Sequence, residues 1–200
     1  MVGTAKNVQN YYNVSNGKVV KSFGKNEPEN VVTTKRTNKN GDVVYEQIYS
    51  FIEGKITDAK LQTHDEYGDS IKLTFSDGSE NAELQIKFDS SYGRSFLFKL
   101  PNCDFSKSIK LTPYQFTDKQ TGKDVTGLNL QQDGKKINNF YTKDTPNGLP
   151  QLKKVKFNGK EQWDKTDQIE FLKAKYDAFC VGIKNLPTVE DSDNDDFEDF

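Results

Sequence analysis

The chain is poor in the residues that build metal and redox chemistry, with two cysteines, Cys103 and Cys180, and one histidine, His64, among 200 residues. The cysteines stand far apart without CxxC spacing, so neither a zinc centre nor a dithiol couple is indicated. No Walker A loop, GxGxxG, HExxH or GxSxG occurs, and His64 has no partner motif, so no cofactor and no enzymatic activity are expected. The first residues, MVGTAKNVQNYYNVSNG, lack a basic stretch followed by an apolar run, and no segment approaches membrane-spanning length. The expected location is therefore the cytoplasm, with no membrane partner. Arginine is reduced to Arg36 and Arg94, which argues against dense bidentate reading of base edges and for sequence-tolerant backbone contacts by lysine.

Aromatic rings are abundant, with 14 Phe and 9 Tyr against one Trp and one Met. Such a chain favours strands over helices. Turn signals cut it into short segments: NKNGD at 38–42, which contains the Asn-Gly hairpin pair, then DEYGD, SDGSE and SSYG. Between them apolar residues alternate, with Ile71, Leu73 and Phe75 on one face, Leu84, Ile86 and Phe88 on another, and Phe96, Phe98 and Leu100 on a third. Period-two burial predicts half-exposed antiparallel strands, about nine or ten in all, where a minimal barrel has five. One helix is expected, from Asp164 or Thr166 to Lys184, because Ile169, Leu172, Tyr176, Phe179 and Ile183 recur at steps of three and four. Pro187 should close it. Residues 1–17 read as a polar N-terminal arm, 18–185 as the folded domain and 186–200 as a flexible tail.

Cations and rings interleave on several segments. In VVYEQIYSF the strand period sets Tyr45, Gln47, Tyr49 and Phe51 opposite Val44, Ile48 and Ile52, leaving the tyrosine side free to line a groove. Lys35 and Arg36 precede it, and Arg94 follows. PYQFTDKQTGK brings Tyr114 and Phe116 to a loop with Lys119 and Lys123; DGKKINNFYTK sets Lys135 and Lys136 near Phe140 and Tyr141; LKKVKF adds Lys154. Lysines that follow a phosphate chain, together with rings on which any base stacks, are what single-stranded nucleic acid requires. Packing of those rings in a sheet core is the competing reading.

Charge is segregated. All 28 Lys and Arg precede residue 190, whereas 7 of the 30 Asp and Glu fall in EDSDNDDFEDF, so residues 1–189 carry +5 and 190–200 carry -7. A basic body beside an acidic segment points to a polyanionic ligand and a segment that imitates it. The same segregation can serve solubility alone.

A basic, aromatic, all-β body followed by an acidic tail with a final Phe resembles the single-stranded DNA-binding proteins of bacteriophages of the podovirus type. EDSDNDDFEDF carries the likeness, with the barrel-like run from Val43 to Phe116 more diffusely. Bacterial proteins of this class end in Pro-Phe, whereas the last pair here is Asp199-Phe200. The resemblance implies a mainly β protein with an elaborated OB-fold-like antiparallel β-barrel, one C-terminal amphipathic α-helix and a disordered acidic tail. It implies a role in phage DNA replication or recombination, with Asp195, Asp196, Phe197, Glu198, Asp199 and Phe200 recruiting polymerase, helicase or primase. Monomer and homodimer both stay open. The rival expectation is a β-rich virion component, or a DNA-mimic inhibitor, that binds no nucleic acid.

Overall fold

Alternation of apolar residues builds the sheet. In the computed structural model, which describes residues 10–157 and 159–185, Ile71, Leu73 and Phe75 are 0%, 0% and 2% exposed, while Ser70, Lys72 and Thr74 between them face outward. Twelve strands form: β1 (Asn10–Ser15), β2 (Lys18–Gly24), β3 (Thr34–Thr37), β4 (Val43–Tyr49), β5 (Ile52–Gln62), β6 (Ser70–Ser76), β7 (Asn81–Lys87), β8 (Ser108–Thr117), β9 (Asp124–Gln132), β10 (Lys135–Lys136), β11 (Lys153–Phe157) and β12 (Lys160–Asp164). The first ten make one sheet in the order β10-β9-β8-β5-β6-β7-β1-β2-β4-β3, and β11 and β12 form a separate hairpin. Helix α1 (Ser91–Leu97) lies between β7 and β8, and helix α2 (Thr166–Lys184) follows the hairpin.

The turns follow from their residues. Asn38 Oδ1 accepts from the Asn40 and Asp42 N–H groups at 2.9 Å each and fixes the β3–β4 turn. Asn16 and Gly17, with φ of 49° and 70°, give the two-residue loop between β1 and β2 that matches the twist of a hairpin. The polar opening of the chain is therefore not an arm from Asn10 onward, because β1 pairs antiparallel with β2 and parallel with β7.

The centre of the sheet is a Greek key: β5, β6 and β7 run consecutively and β8 returns to lie beside β5. Strand β5 serves two neighbours, pairing Ile52–Lys55 with β8 and Lys55–Gln62 with β6, with a register shift between Ile56 and Asp58. The expected barrel is not formed; the sheet is open. The free flank of β7 is taken by β1, and that of β9 by β10 and by α1. Ser95 Oγ accepts from Leu128 N at 3.0 Å and donates to Leu128 O at 3.1 Å, so a side chain satisfies the backbone of β9 where a closing strand would lie.

Ser91–Leu97 forms helix α1, where the alternation of Phe96, Phe98 and Leu100 predicts a strand. Ser90 caps the helix by accepting from Gly93 N at 3.1 Å, and Gly93, Phe96 and Leu97 bury at helical spacing. KINNFY also leaves the sheet after Lys136; only β10 is extended there. Helix α2 agrees with its expected span. Asp164 Oδ1 accepts from Thr166 N at 2.9 Å, and Leu172, Tyr176 and Ile183 bury against the core. The Tyr176 hydroxyl lies 3.1 Å from Lys72 O and 3.4 Å from Lys60 O, which ties α2 to β6 and β5. Among the described residues no helix is long and apolar enough to cross a membrane. Pro187 and residues 190–200 lie outside the described residues.

Candidate nucleic-acid interface

Strand β8 buries Ile109 and Leu111 on one side, so Lys110, Thr112, Tyr114 and Phe116 share the other. Lys110 Nζ lies 3.6 Å from the centre of the Phe51 ring, and Phe51 is 45% exposed at the corner between β4 and β5. Tyr114 and Phe116 are stacked, with centres 6.0 Å apart and planes at 27°. Gly127, opposite Tyr114 on β9, has a packing reason to be glycine: a Cβ there would stand 2.5 Å from the Tyr114 hydroxyl. Phe116 is 54% exposed and leads into the β8–β9 loop, where Lys119 and Lys123 are exposed and make no ion pair among the described residues. The ladder also sets Glu53, Lys110, Gln131 and Lys136 in one row across β5, β8, β9 and β10. Lys135 and Lys136 are exposed. The outward side brings Tyr114, Phe116 and Lys136 together beside Phe51, with Lys119 and Lys123 in the adjoining loop, whereas Lys135, paired with Gln132, is turned to the opposite side.

A second group lies on the β1–β2–β4–β3 part of the sheet. Lys35 Nζ lies 5.3 Å from the centre of its cross-strand neighbour Tyr45, and Lys21 Nζ stands 5.9 Å and 5.5 Å from Tyr12 and Phe23. Arg36 points the other way, and its guanidinium is held by Glu46 Oε1 through Nη2 at 2.7 Å and Nε at 2.9 Å, which raises its pKa. Its charge is spent within the sheet. Glu46 occupies the face on which Val44 and Ile48 were expected to form core, and Ile48 is 46% exposed.

Other predicted residues are drawn inward. Tyr49 packs on the core and meets Tyr12 edge to face at 5.5 Å; burial and the neighbouring Tyr49 push the Tyr12 pKa up to about 12. Phe140 is half-buried, and Tyr141, 2% exposed, packs against Phe98, Phe140 and Phe171. Neither Tyr49 nor Tyr141 offers a free ring face for stacking. Lys154, on β11, lies 5.3 Å from the centre of Trp163 and 3.4 Å from Glu161. The predicted residues Asp195 to Phe200 lie outside the described residues.

Arg94 stands apart from the β8 face. It lines a pocket of about 570 Å³ with Phe98, Lys143, Leu149, Trp163 and Gln168, and its guanidinium carbon lies 5.2 Å from the Phe98 ring centre. Lys110 is not among the predicted contacts. The parity of SIKLTPYQF, which sets Lys110 on the side of Tyr114 and Phe116, was signal enough for Lys110. His64 is an exposed turn residue whose ring packs on Tyr67 at 4.7 Å. Among the described residues no group of three His, Cys, Asp or Glu could hold a metal ion.

No known family model matches this chain, and no curated protein or solved structure is significantly similar to it.

Proposed function

We propose that this chain is a non-enzymatic single-stranded DNA-binding protein that holds the strand along the outward face of β8, without strong sequence preference. The observation that carries the reading is the meeting on that face of exposed rings, Phe51 and Phe116, with Lys110 at 3.6 Å from Phe51 and with Lys119 and Lys123, which have no ion-pair partner among the described residues, in the following loop. Rings supply stacking to any base, and lysines neutralise phosphates without reading sequence. The acidic stretch at 190–200 competes with DNA for the basic face and, when displaced, docks on polymerase, helicase or primase through Phe197 and Phe200.

The test is a titration with oligo-dT and with a duplex of equal length, across a range of salt. The single strand should bind tighter, with affinity falling steeply as salt rises. Deleting residues 187–200 should raise affinity. Equal affinity for both forms, or none for either, would leave a structural or protein-binding role in its place.

A further inference from the structure

The pocket that holds Arg94 has a chemistry of its own. Arg94 and Lys143 both line it, and no carboxylate does. Arg94 is half-buried on α1, and among the described residues no acid reaches it; loss of solvent is what lowers its pKa. Its Nη2 donates to Gln168 Oε1 at 2.5 Å, and Gln168, 7% exposed, donates through Nε2 to Pro150 O at 2.6 Å. Both ends of the Gln168 amide are thereby fixed, so it orients the guanidinium without neutralising it. A guanidinium carries five N–H donors, which leaves most of them for a ligand. The remaining walls include Phe98, Leu149 and Trp163, the last 56% exposed. A cleft of about 570 Å³ is within the size range of small-molecule sites, and polar and apolar groups both line it.

We infer that this pocket binds a phosphomonoester carried on a flat aromatic body, a nucleoside monophosphate, with the phosphate on Arg94 and Lys143 and the base against Trp163. A planar fork matches phosphate oxygens in pairs, and an unneutralised half-buried cation is stabilised when an anion arrives. The ligand is either a free nucleotide or the 5′-phosphorylated end of a strand, which share this chemistry. The inference does not rest on the β8 face, and its failure would leave that reading intact.

Trp163 is the only tryptophan in the chain, so its fluorescence reads the pocket directly. The full chain is titrated with AMP, with adenosine and with inorganic phosphate. AMP should quench saturably, adenosine should bind about tenfold or more weakly as the charge-assisted bonds are lost, and phosphate should compete with AMP. Arg94→Gln should weaken AMP by a similar factor while Phe116→Ala leaves it unchanged. The source is resolved by oligo-dT with and without a 5′-phosphate: displacement of AMP by the phosphorylated strand alone assigns a strand end, and displacement by neither assigns a free nucleotide. Equal binding of AMP and adenosine, quenching that does not saturate, or failure of phosphate to compete would each overturn the inference, and these need no variant to fold.

Discussion

Replacing Phe116 by alanine separates a binding role from a packing role. The ring is 54% exposed, and its aromatic neighbour is Tyr114, stacked at 6.0 Å. Full burial of a Phe side chain is worth about 1.5–3 kcal/mol, so a half-exposed ring removed from this edge should lower stability by about 1 kcal/mol or less. Stacking of a base on an aromatic side chain is worth about 1–3 kcal/mol, so the dissociation constant for oligo-dT should rise about 5- to 150-fold. No charge is removed, so the slope of log affinity against log salt should stay that of the parent chain. Tyr49→Ala is the contrasting variant: its ring packs on the core, and its loss should lower the midpoint of urea unfolding more than it weakens the DNA complex. Fluorescence anisotropy with labelled oligo-dT and a urea titration supply both numbers. Unchanged affinity for a folded Phe116→Ala protein would refute the stacking assignment, and a changed salt slope would show that the substitution had disturbed the cations instead.

The double variant Lys119→Ala, Lys123→Ala should reduce the salt slope by about 1.4, from about 0.7 per phosphate contact on a single strand, and anisotropy across a salt series measures it. Gly17→Ala should unfold at distinctly lower urea, because φ is 70° there and the new Cβ would stand 2.6 Å from Gln115 N. Cys103 tests the interior by pH: burial pushes its thiol up to about 12 from an ordinary value of 9.0. A raised folded pKa gives stability that is complete below pH 9 and is lost as pH climbs toward 12, so unfolding midpoints should fall across that window. Iodoacetamide at pH 8 should label the half-buried Cys103 more slowly in the native protein than in denaturant, and equal rates would contradict the raised thiol pKa.

Periodicity made some of this fold legible. Helix α2 was readable because Leu172, Tyr176 and Ile183 keep the helical step, and Asp164 Oδ1 accepts from Thr166 N in the turn that leads into it. Strands β6 and β7 were readable because their alternation is strict. The segment from Ser91 to Leu100 misleads because its letters satisfy two periods at once: Phe96, Phe98 and Leu100 fit a strand, while Gly93, Phe96 and Leu97 fit a helix. The Ser90 cap decides between them. At Asn16-Gly17 the hairpin signal was present, and the polar composition of the first residues masked it. Tyr141 could not be placed from sequence, because its burial depends on Phe98 and Phe171, which lie 43 and 30 residues away. The contact of α1 with β9 is equally non-local, since the Ser95 hydroxyl meets the backbone of Leu128, 33 residues away.

On the proposed single-stranded DNA-binding reading, pairing of the cations, more than total charge, determines which of them are left for phosphates. Glu46 takes up Arg36, and Glu83, 9% exposed, is bonded by Lys72 at 2.5 Å with Lys60 at 3.6 Å, so those cations are spent inside the sheet. Lys119 and Lys123 precede β9 and Lys135 and Lys136 follow it, and none of the four has an ion-pair partner among the described residues. Nine residues of β9 separate the two groups, about 30 Å at the rise of a strand. Between them, on the outward side of β8, come Phe51 with Lys110, whose ammonium also pairs with Glu53 at 3.5 Å, then Tyr114, then Phe116. Cations at both ends and rings in the middle form a single track, and its direction follows from the register of β8 and β9. A strand laid along it would be gripped by its phosphates at each end and by its bases between, so neutralising either lysine pair alone should shorten the length of oligo-dT bound without abolishing binding.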